Sequence, residues 1–321
     1  MRAVRLYLRN WGAARWALGW LALVAVVGLL APWLPLPYSA AAPDLANMAA
    51  PPAWHGPAPH YAGTDPLGRD LLAGLVAGAR QLLLLSLPAT ALAAILGALL
   101  GGAAGYWGNR GLRLPGWVGL LGLAAAWWWL RPPLLVGLGV ALPLVGLLAR
   151  YWRRGWALPL DGLVLGASTL LGTVPRLLLV LAFAAGPPLG AGWLLALLVL
   201  LAWPDMARLV RTQMRQVRAL PYVEAARAVG LPAGRVWWHH ALPAASQPLR
   251  AFAPLTLAAL IGLESTLAFL GIGYSEATVS WGQLLGELRQ APGAWWLVAG
   301  PGTLLLATLV ALQLLARRLA A

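Results

Sequence analysis

Cysteine and lysine are both absent from the 321 residues, and charged residues make up only 10% of the chain. Without cysteine, the chain can hold no disulfide and no thiolate metal site. Soluble domains carry roughly 25% charged residues, whereas this chain is 61% hydrophobic. The composition therefore excludes an ordinary soluble domain and predicts an integral membrane protein in contact with the lipid bilayer.

The basic residues are also unusual, because all 23 of them are arginine and the formal net charge is +14. In a soluble protein, this excess would suggest a nucleic-acid partner. In a membrane protein it has another explanation, since arginine collects in cytoplasmic loops. We therefore expect no nucleic-acid partner.

Hydrophobic runs of roughly 20 residues, the length that crosses a bilayer as a helix, divide the chain into eight candidate spans. The third and fourth are each 16 residues long and are joined by a short turn. We predict an all-α fold, a polytopic bundle of transmembrane helices. The spans are Trp16–Leu36, Leu82–Ala104, Pro115–Leu130, Leu134–Ala149, Leu163–Ala185, Trp193–Met206, Ala251–Ile272 and Trp295–Leu315.

The arginines set the orientation of these spans. With the N-terminus inside, most of the 23 arginines fall in cytoplasmic segments, as the positive-inside rule requires. We therefore expect a multi-pass protein of the inner (cytoplasmic) membrane with both termini in the cytoplasm. The first span is typical of a retained signal anchor, although its basic start and the small residues of SAAAP also fit a cleaved signal peptide.

One polar segment, Tyr222–Pro243, interrupts the apolar pattern and lies in a predicted cytoplasmic loop at about 208–250. Good helix formers run from Pro221 to Val229, and Gly230 then provides a left-handed helix cap, with a proline soon after it as a stop signal. A second short helix is predicted from Ala233 to about Ala241, ending before the proline that closes the segment. The polar segment is therefore predicted to form a helix, a turn and a second helix.

Small and charged side chains suit the polar segment to docking. Ala225 and Ala226 leave a low-profile surface that another protein can approach closely, and Glu224 offers a carboxylate beside it. Trp237 and Trp238 add apolar area for a groove or for the membrane interface. An ordinary amphipathic loop at the membrane surface explains the same residues, and the physical pattern leaves both interpretations open.

The sequence EAARAVG followed by HHALP resembles the EAA motif in the permease subunits of ABC importers. In that family this loop is the coupling region that docks into a groove on a cytoplasmic ATPase, so the resemblance implies the same role here. The residues expected to couple this chain to an ATPase are Glu224, Ala225, Ala226, Gly230, His240, Leu242 and Pro243.

Other segments resemble the same family and follow in its order along the chain. They are GTDPLGRDLLAGLVAGARQLL, GGAAGYWG, WPDMARLVRTQM, ESTLAFLGIG and SWGQLLGE. They are similar to motifs of the second, C-type permease of dipeptide, oligopeptide and nickel importers. The matching residues singled out are Gly63, Thr64, Asp65, Gly68, Arg69, Asp70, Trp203, Pro204, Arg208 and Arg211.

This resemblance implies the type I importer permease fold with six core helices. It divides the chain into an N-terminal transmembrane anchor with an external loop at 1–62 and a permease core domain at 63–321. A stretch at about 111–158 is additional to the family pattern. Two extra helices there leave every later loop on its usual side, whereas one would invert them, so we predict an inserted two-helix hairpin. A single amphipathic segment lying on the membrane is the alternative.

The resemblance also implies a transport function. The substrate would be a di- or oligopeptide, with nickel or another small solute as the alternative. The partners would be a homologous second permease, two cytoplasmic ATPase subunits and an extracytoplasmic solute-binding protein. The sequence has no Gly-rich phosphate loop ending in Lys and Ser or Thr, so we expect no enzymatic activity and no cofactor in this chain, with ATP and Mg²⁺ bound by the partner subunits. A self-sufficient secondary transporter would instead predict inverted repeats, and none is clear.

Ionisable residues inside the predicted spans are candidates for the translocation pathway, since each is costly in lipid unless it is paired or hydrated. Arg176 follows Pro175 in the middle of a span, and Glu264 precedes FLGIG. Pairing inside the bundle accounts for both residues. Facing the pathway or the partner permease is the functional alternative, which makes Arg176 and Glu264 pathway candidates.

The histidines do not predict a metal site. His239 and His240 are adjacent, so their side chains diverge on a helix. His240 is expected to be a structural or interface residue. His55 and His60 are expected to be solvated in the external loop.

Overall fold

The computed structural model describes residues 2–55, 59–109, 111, 113–114, 156–176, 178–179, 190–272 and 279–320. Helices make up most of this part of the chain, which confirms the all-α prediction. The helices are α1 (Arg2–Leu30), α2 (Leu71–Gln81), α3 (Leu87–Trp107), α4 (Leu160–Thr173), α5 (Ala191–Val217), α6 (Pro221–Ala228), α7 (Ala233–Val236), α8 (Leu242–Ala245), α9 (Leu249–Phe269), α10 (Trp281–Gly286) and α11 (Trp296–Ala320).

Five helical segments in the described ranges are long and apolar enough to cross a membrane. Leucine and alanine dominate them, and both are strong helix formers. A helix also bonds its own backbone polar groups, which lipid cannot do. The segments confirm five of the predicted spans but shift their ends. They are Gly12–Trp33, Leu71–Trp107, Ala191–Val217, Leu249–Phe269 and Trp296–Ala320.

The largest shift is in the second span, which was predicted to begin at Leu82. The structure instead has a helical segment of 37 residues from Leu71 to Trp107, in which a π-helical turn at Leu82–Ser86 joins α2 to α3. This segment is about 55 Å long, well beyond the roughly 30 Å of a bilayer core. Hydropathy missed its start because Arg80 interrupts the apolar run, whereas capping by Asp70 sets the first helical residue.

The fifth predicted span, Leu163–Ala185, is described only in part. Its described helix, α4, has 14 residues and ends shortly before Pro175, because a proline disfavours helical geometry in the residue before it. The predicted pair Pro115–Leu130 and Leu134–Ala149 lies outside the described residues.

The two ends of the predicted insertion lie side by side. Strand β1 (Arg113–Leu114) pairs antiparallel with strand β2 (Trp156–Ala157), with Arg113 opposite Ala157. Adjacent ends fit both alternatives for the insertion, a membrane hairpin and a surface segment. The pairing is therefore compatible with either and does not distinguish them.

The chain divides into two compact units. The first comprises Met1–Gly97, Leu170–Met206 and Ser246–Ala321, and the second comprises Ala98–Thr169 and Ala207–Ala245. The first unit contains the N-terminal helix and most of the described membrane-length segments. The second contains the polar segment.

The core of the first unit forms where α1, α2, α9, α10 and α11 pack together. Two buried indoles are tied down by hydrogen bonds, as buried tryptophans usually are. Trp281 Nε1 donates to the carbonyl of Leu75 at 2.8 Å, and Trp20 Nε1 donates to Thr308 Oγ1 at 3.1 Å. The buried apolar residues of this core are Val24, Leu71, Ala79, Leu82, Ile261, Val279, Trp281, Leu284, Ala294, Leu297, Leu305 and Leu312.

Candidate functional site

The polar segment forms the predicted helix and turn within the second unit. Helix α6 begins at Pro221, whose ring presets φ at the first helical position. Gly230 has φ of +85°, and its N–H donates to the carbonyl of Arg227 at 2.9 Å. Because side chains with a Cβ rarely adopt this conformation, the predicted left-handed cap is confirmed.

Helix α6 has one buried face and one exposed face. Val223 is fully buried and Ala226 is 9% exposed, as expected for residues three apart on the same side of a helix. Glu224 and Ala225 are exposed. The prediction that both alanines form an open surface is therefore corrected: Ala226 packs inward, and Ala225 lies beside the exposed carboxylate.

The second helix of the polar segment is longer than predicted. Helix α7 continues through a π-helical turn at Trp237–Ala241 into α8, so the prediction that it ends before Pro243 is wrong. Proline lacks an N–H and its ring crowds the carbonyl four residues earlier. The π turn directly before it, in which the Leu242 N–H donates to the Trp237 carbonyl, takes the backbone out of the α geometry in which that clash arises.

The end of α3, within the GGAAGYWG motif, holds the polar segment. Arg218, just before the polar segment, donates from Nη1 to the carbonyl of Tyr106 at 3.1 Å, which satisfies one of the last carbonyls of the helix. The guanidinium of Arg227 lies 4.9 Å from the centre of the Tyr106 ring, within cation–π range. The rings of Trp107 and Trp237 have their centres 5.1 Å apart. Both helices of the polar segment are therefore anchored on the same helix end.

Glycines allow the end of α3 to lie directly against the second half of α5. A Cβ on Gly105 would lie 2.7 Å from the carbonyl oxygen of Arg211 and 2.7 Å from Cβ of Met214. A Cβ on Gly101 would lie 2.2 Å from the carbonyl oxygen of Ala207. Small residues permit this close approach of two helix backbones in membrane proteins.

Helix α4 is tied to α5 by a buried carboxylate. Asp161, in the first turn of α4, is 6% exposed. It accepts hydrogen bonds from Nε and Nη2 of Arg211, the latter at 2.8 Å, and from Nη2 of Arg215 at 2.8 Å. The bidentate geometry is a strong form of charged hydrogen bond. The motif residues singled out from the sequence include Arg211 but not Asp161. The position of Asp161 in the first turn of a helix was the feature of the sequence that could have identified it.

Two buried polar atoms of the polar segment have no hydrogen-bond partner among the described residues: His240 Nδ1 and Trp237 Nε1. Buried donors and acceptors are normally paired, so these two atoms are exceptions within the segment. The Tyr222 hydroxyl lies 3.5 Å from the carbonyl oxygen of His240. Leu242 is buried, and Pro243 is exposed.

The other predicted motif residues of WPDMARLVRTQM lie along α5. Trp203 and Pro204 are buried, and Pro204 is inside the continuous helix. Arg208 is exposed. The motif therefore combines residues that pack inside the protein with residues at its surface.

The GTDPLGRD loop (Gly63–Asp70) is closed by its own carboxylates in the first unit. Asp65 accepts hydrogen bonds from the backbone N–H groups of Leu67 at 2.9 Å and Arg69 at 2.8 Å. Its other oxygen accepts from Arg69 Nε at 2.7 Å. Asp70 caps α2 by accepting from the N–H of Ala73 at 2.9 Å. Both carboxylates are buried, so they serve the loop itself.

His60 is buried against this loop, and the prediction that it is solvated is wrong. It is 4% exposed, and its Nδ1 lies 2.9 Å from Oδ1 of Asp70. Its Nε2 lies 3.5 Å from Oδ2 of Asp44, and its ring stacks on Tyr38 with the centres 4.2 Å apart. The hydrogen bond from Asn47 to Asp44 is the main cause that lowers the pKa of the Asp44 carboxyl. The position of His60 in a predicted loop did not indicate that it is buried, because its partners Tyr38, Asp44 and Asp70 come from separate parts of the chain.

The GTDPLGRD loop also contacts the C-terminal motifs. The carbonyl of Thr64 accepts from Nε1 of Trp296 at 3.0 Å, and Nη2 of Arg69 lies 3.6 Å from Oε1 of Glu287. Burial raises the pKa of the Glu287 carboxyl, and the charge of Arg69 opposes that shift. Gly63 and Gly68, the two glycines among the predicted motif residues of this loop, have positive φ angles of 86° and 78°.

The two pathway candidates lie in different surroundings within the first unit. Arg176 forms an ion pair with Asp205, and their side chains are 49% and 27% exposed. Glu264 is 5% exposed. Arg176 is therefore both paired and accessible, whereas Glu264 is enclosed. The described residues contain no group of three or more His, Asp or Glu side chains suited to a metal ion.

Comparison with known proteins identifies the family. Residues 141–321 match the family described as the binding-protein-dependent transport system inner membrane component. The chain is 28% identical over 298 residues to a di/tripeptide transport system permease protein of Pseudomonas aeruginosa, covering 91% of this chain and 81% of that protein.

Two further relatives have similar names. One, from Escherichia coli, carries the name of a D,D-dipeptide transport system permease and is 28% identical over 299 residues, covering 91% of this chain and 80% of the relative. Another, from Brucella suis, is named as a peptide permease and is 28% identical over 281 residues, covering 85% and 74%. Since the family match extends over more than half of the chain, this protein belongs to the family of inner membrane components of binding-protein-dependent transport systems.

Proposed function

We propose that this chain is the membrane-spanning permease subunit of an ATP-binding cassette importer that carries di- or oligopeptides. The observation that carries the proposal is the exposed face of α6, with Glu224 and Ala225, held rigidly by its buried face and by the end of α3. Three relatives named for peptide transport support a peptide substrate.

The partners in this proposal are a homologous second permease, two ATPase subunits that bind ATP and Mg²⁺, and an extracytoplasmic solute-binding protein. The ATPases dock on the polar segment, Tyr222–Pro243. The distribution of arginines supports an orientation with the polar segment and both termini in the cytoplasm. The chain itself carries no catalytic role in this scheme.

Coupling follows from how the polar segment is attached. Movement of a docked ATPase displaces α6, and the contact between Arg227 and Tyr106 passes that displacement to the end of α3. The contact between the rings of Trp107 and Trp237 makes a second connection to the same helix end. Helix α3 is itself part of a membrane-length segment. A displacement of the polar segment is thereby passed to a membrane-spanning helix.

Arg176 is the stronger of the two pathway candidates. An exposed guanidinium in a membrane-spanning bundle requires water or a protein partner, and Arg176 remains half-exposed despite its ion pair with Asp205. We propose that it faces the pathway or the second permease. The low exposure of Glu264 favours a packing role for that residue.

The coupling proposal is tested in proteoliposomes that contain the full transporter and a labelled dipeptide. Glu224→Ala is expected to insert and assemble normally but to lose ATP-dependent uptake, because it removes the exposed carboxylate and no buried group. Gly230→Pro is expected to do the same, since proline cannot adopt the positive φ of this turn. Gln216→Ala, at an exposed residue of α5 outside the polar segment, is the control. Normal uptake in both test variants would exclude the coupling role.

The topology is tested with accessibility tags. Tags at Arg131 and Arg153 are expected to label from opposite sides of the membrane if the insertion is a hairpin. Labelling from the same side would exclude the hairpin and favour a surface segment. A tag at the C-terminus, expected in the cytoplasm, provides the reference.

A further inference from the structure

An apolar cavity of about 380 Å³ opens within the first unit. Its walls come from α1, from the π turn and α3, and from α9 and α11, with Leu21, Leu257, Ile261 and Leu312 among the lining residues. The volume falls in the range of small-molecule sites. Each of these helices belongs to a segment long and apolar enough to cross a membrane, so the cavity lies among helices that are expected to be surrounded by lipid.

The two hydroxyl groups that line the cavity are already satisfied. Thr90 Oγ1 donates to the carbonyl of Ser86 at 2.8 Å. Thr308 Oγ1 donates to the carbonyl of Leu304 at 2.7 Å and accepts from Trp20 Nε1 at 3.1 Å. An ordered water needs two to four polar partners, and these side chains have little left to offer. The cavity is therefore suited to an apolar occupant.

One charged residue lies among the described residues that line the cavity: Arg250, in the first turn of α9. It is exposed, and no carboxylate in the described ranges forms an ion pair with it. A guanidinium binds a phosphate through two parallel hydrogen bonds. An apolar cavity with a single accessible cation at its edge is complementary to an amphiphile with an anionic head group.

We propose that this cavity binds an acyl chain of an anionic phospholipid, with the lipid phosphate at Arg250. The acyl chain would contact Leu257 and Ile261 on α9 and Leu312 on α11. The lipid then fills space between the N-terminal helix and the C-terminal helices. It acts as a structural ligand that is separate from the polar segment.

The proposal is tested with the full transporter in nanodiscs of mixed phosphatidylglycerol and phosphatidylcholine. Phosphatidylglycerol with a photoreactive acyl chain is cross-linked, and the labelled residues are mapped by mass spectrometry. Labelling is expected to concentrate at Leu257, Ile261 and Leu312. Leu306, on α11 and 64% exposed, reports ordinary contact with bulk lipid.

Variants separate the head group from the acyl chain. Arg250→Gln is expected to lower the preference for phosphatidylglycerol over phosphatidylcholine at the cavity by about fivefold, the value of one arginine near an anionic lipid surface. Arg317→Gln, which changes a cation outside the cavity, should leave that preference unchanged. Ala253→Phe fills the cavity and should abolish labelling there, and Ala253→Leu is a milder version if the larger side chain impairs folding.

Specific labelling of the cavity that responds to Arg250→Gln and Ala253→Leu supports the proposal. Labelling equal to that at Leu306 and unchanged by either variant would overturn it, since the cavity would then be ordinary lipid-facing surface. Cross-links from the cavity to a second permease subunit would also overturn it, because the occupant would be protein.

Discussion

The GTDPLGRD loop and the polar segment both match motifs of one family, yet their charged groups are used differently. In the GTDPLGRD loop, the Asp65 and Asp70 carboxylates are buried and accept hydrogen bonds from nearby backbone groups. In the polar segment, the Glu224 carboxylate is exposed, while His240 Nδ1 is buried without a partner among the described residues. The carboxylates of the first region are therefore satisfied within the protein, whereas the second region presents a carboxylate at its surface.

This difference shows that a charged residue in a sequence motif can have either of two roles, a structural one or one in binding a partner. A buried aspartate that caps a helix or closes a turn stabilises its own loop, and its loss leaves backbone donors unpaired. An exposed glutamate contributes little to the stability of the fold, so any role it has depends on the partner that it contacts. Variants in the first region should therefore reduce stability, and variants on the exposed face of the second should reduce coupling while leaving stability intact.

The largest expected loss of stability is for Asp161→Ala, within the unit that holds the polar segment. It leaves Arg211, which is 13% exposed, without its carboxylate. Removing one partner of a buried ion pair costs about 3 kcal/mol or more. We expect a marked fall in the unfolding temperature of the purified transporter. Glu224→Ala, which removes an exposed carboxylate from the same unit, should leave that temperature unchanged, and an equal fall in both would remove the distinction between the two carboxylates.

A smaller loss is expected for Gly105→Leu. The new side chain would collide with the carbonyl of Arg211 and with Met214, and overpacking typically costs about 1–3 kcal/mol. Because the end of α3 anchors the polar segment, both stability and coupling should fall. Gly166→Leu, where a Cβ would meet nothing within 4 Å, is the control for an added side chain. Unchanged uptake and stability in Gly105→Leu would show that the close helix contact is not required.

Asp70→Ala tests the GTDPLGRD loop, where the carboxylates are buried. It removes the cap of α2, worth about 1 kcal/mol, together with a neighbour of His60. Stability is expected to fall, while ATP-dependent uptake per folded transporter stays normal. Reduced uptake at normal stability would assign the GTDPLGRD loop a direct part in transport.

The smallest expected effect is for Glu287→Gln. Burial raises the pKa of this carboxyl in the folded protein, so its contribution to stability is full at low pH and is lost as pH rises through the raised pKa. The glutamine variant, which does not ionise, should therefore gain stability relative to the wild type as pH rises through this range. If the unfolding temperatures of the wild type and the variant changed in parallel with pH, ionisation of Glu287 would have no effect on the stability of the fold.

Local chemistry was predictable where a residue acts on its own neighbours. The apolar runs located five membrane-length helices, and Gly230 marked the end of α6 because its positive φ depends on the residue type. The continuation of α7 through a π turn was not predictable, since the pattern of helix formers and prolines contains no signal for that turn. The burial of His60 was missed for a different reason, because both of its carboxylate neighbours depend on how the loop folds.

The sequence by itself determined the membrane setting, the positions of the described long helices and the polar segment that interrupts them, because hydropathy, arginine content and capping act within a few turns of chain. The tertiary structure decided which charged groups are paired and which stay exposed. Asp161 meets Arg211 across 50 residues, and Arg69 meets Glu287 across a still longer stretch of chain. Pairings at such separations depend on packing between helices, whose geometry no local pattern encodes.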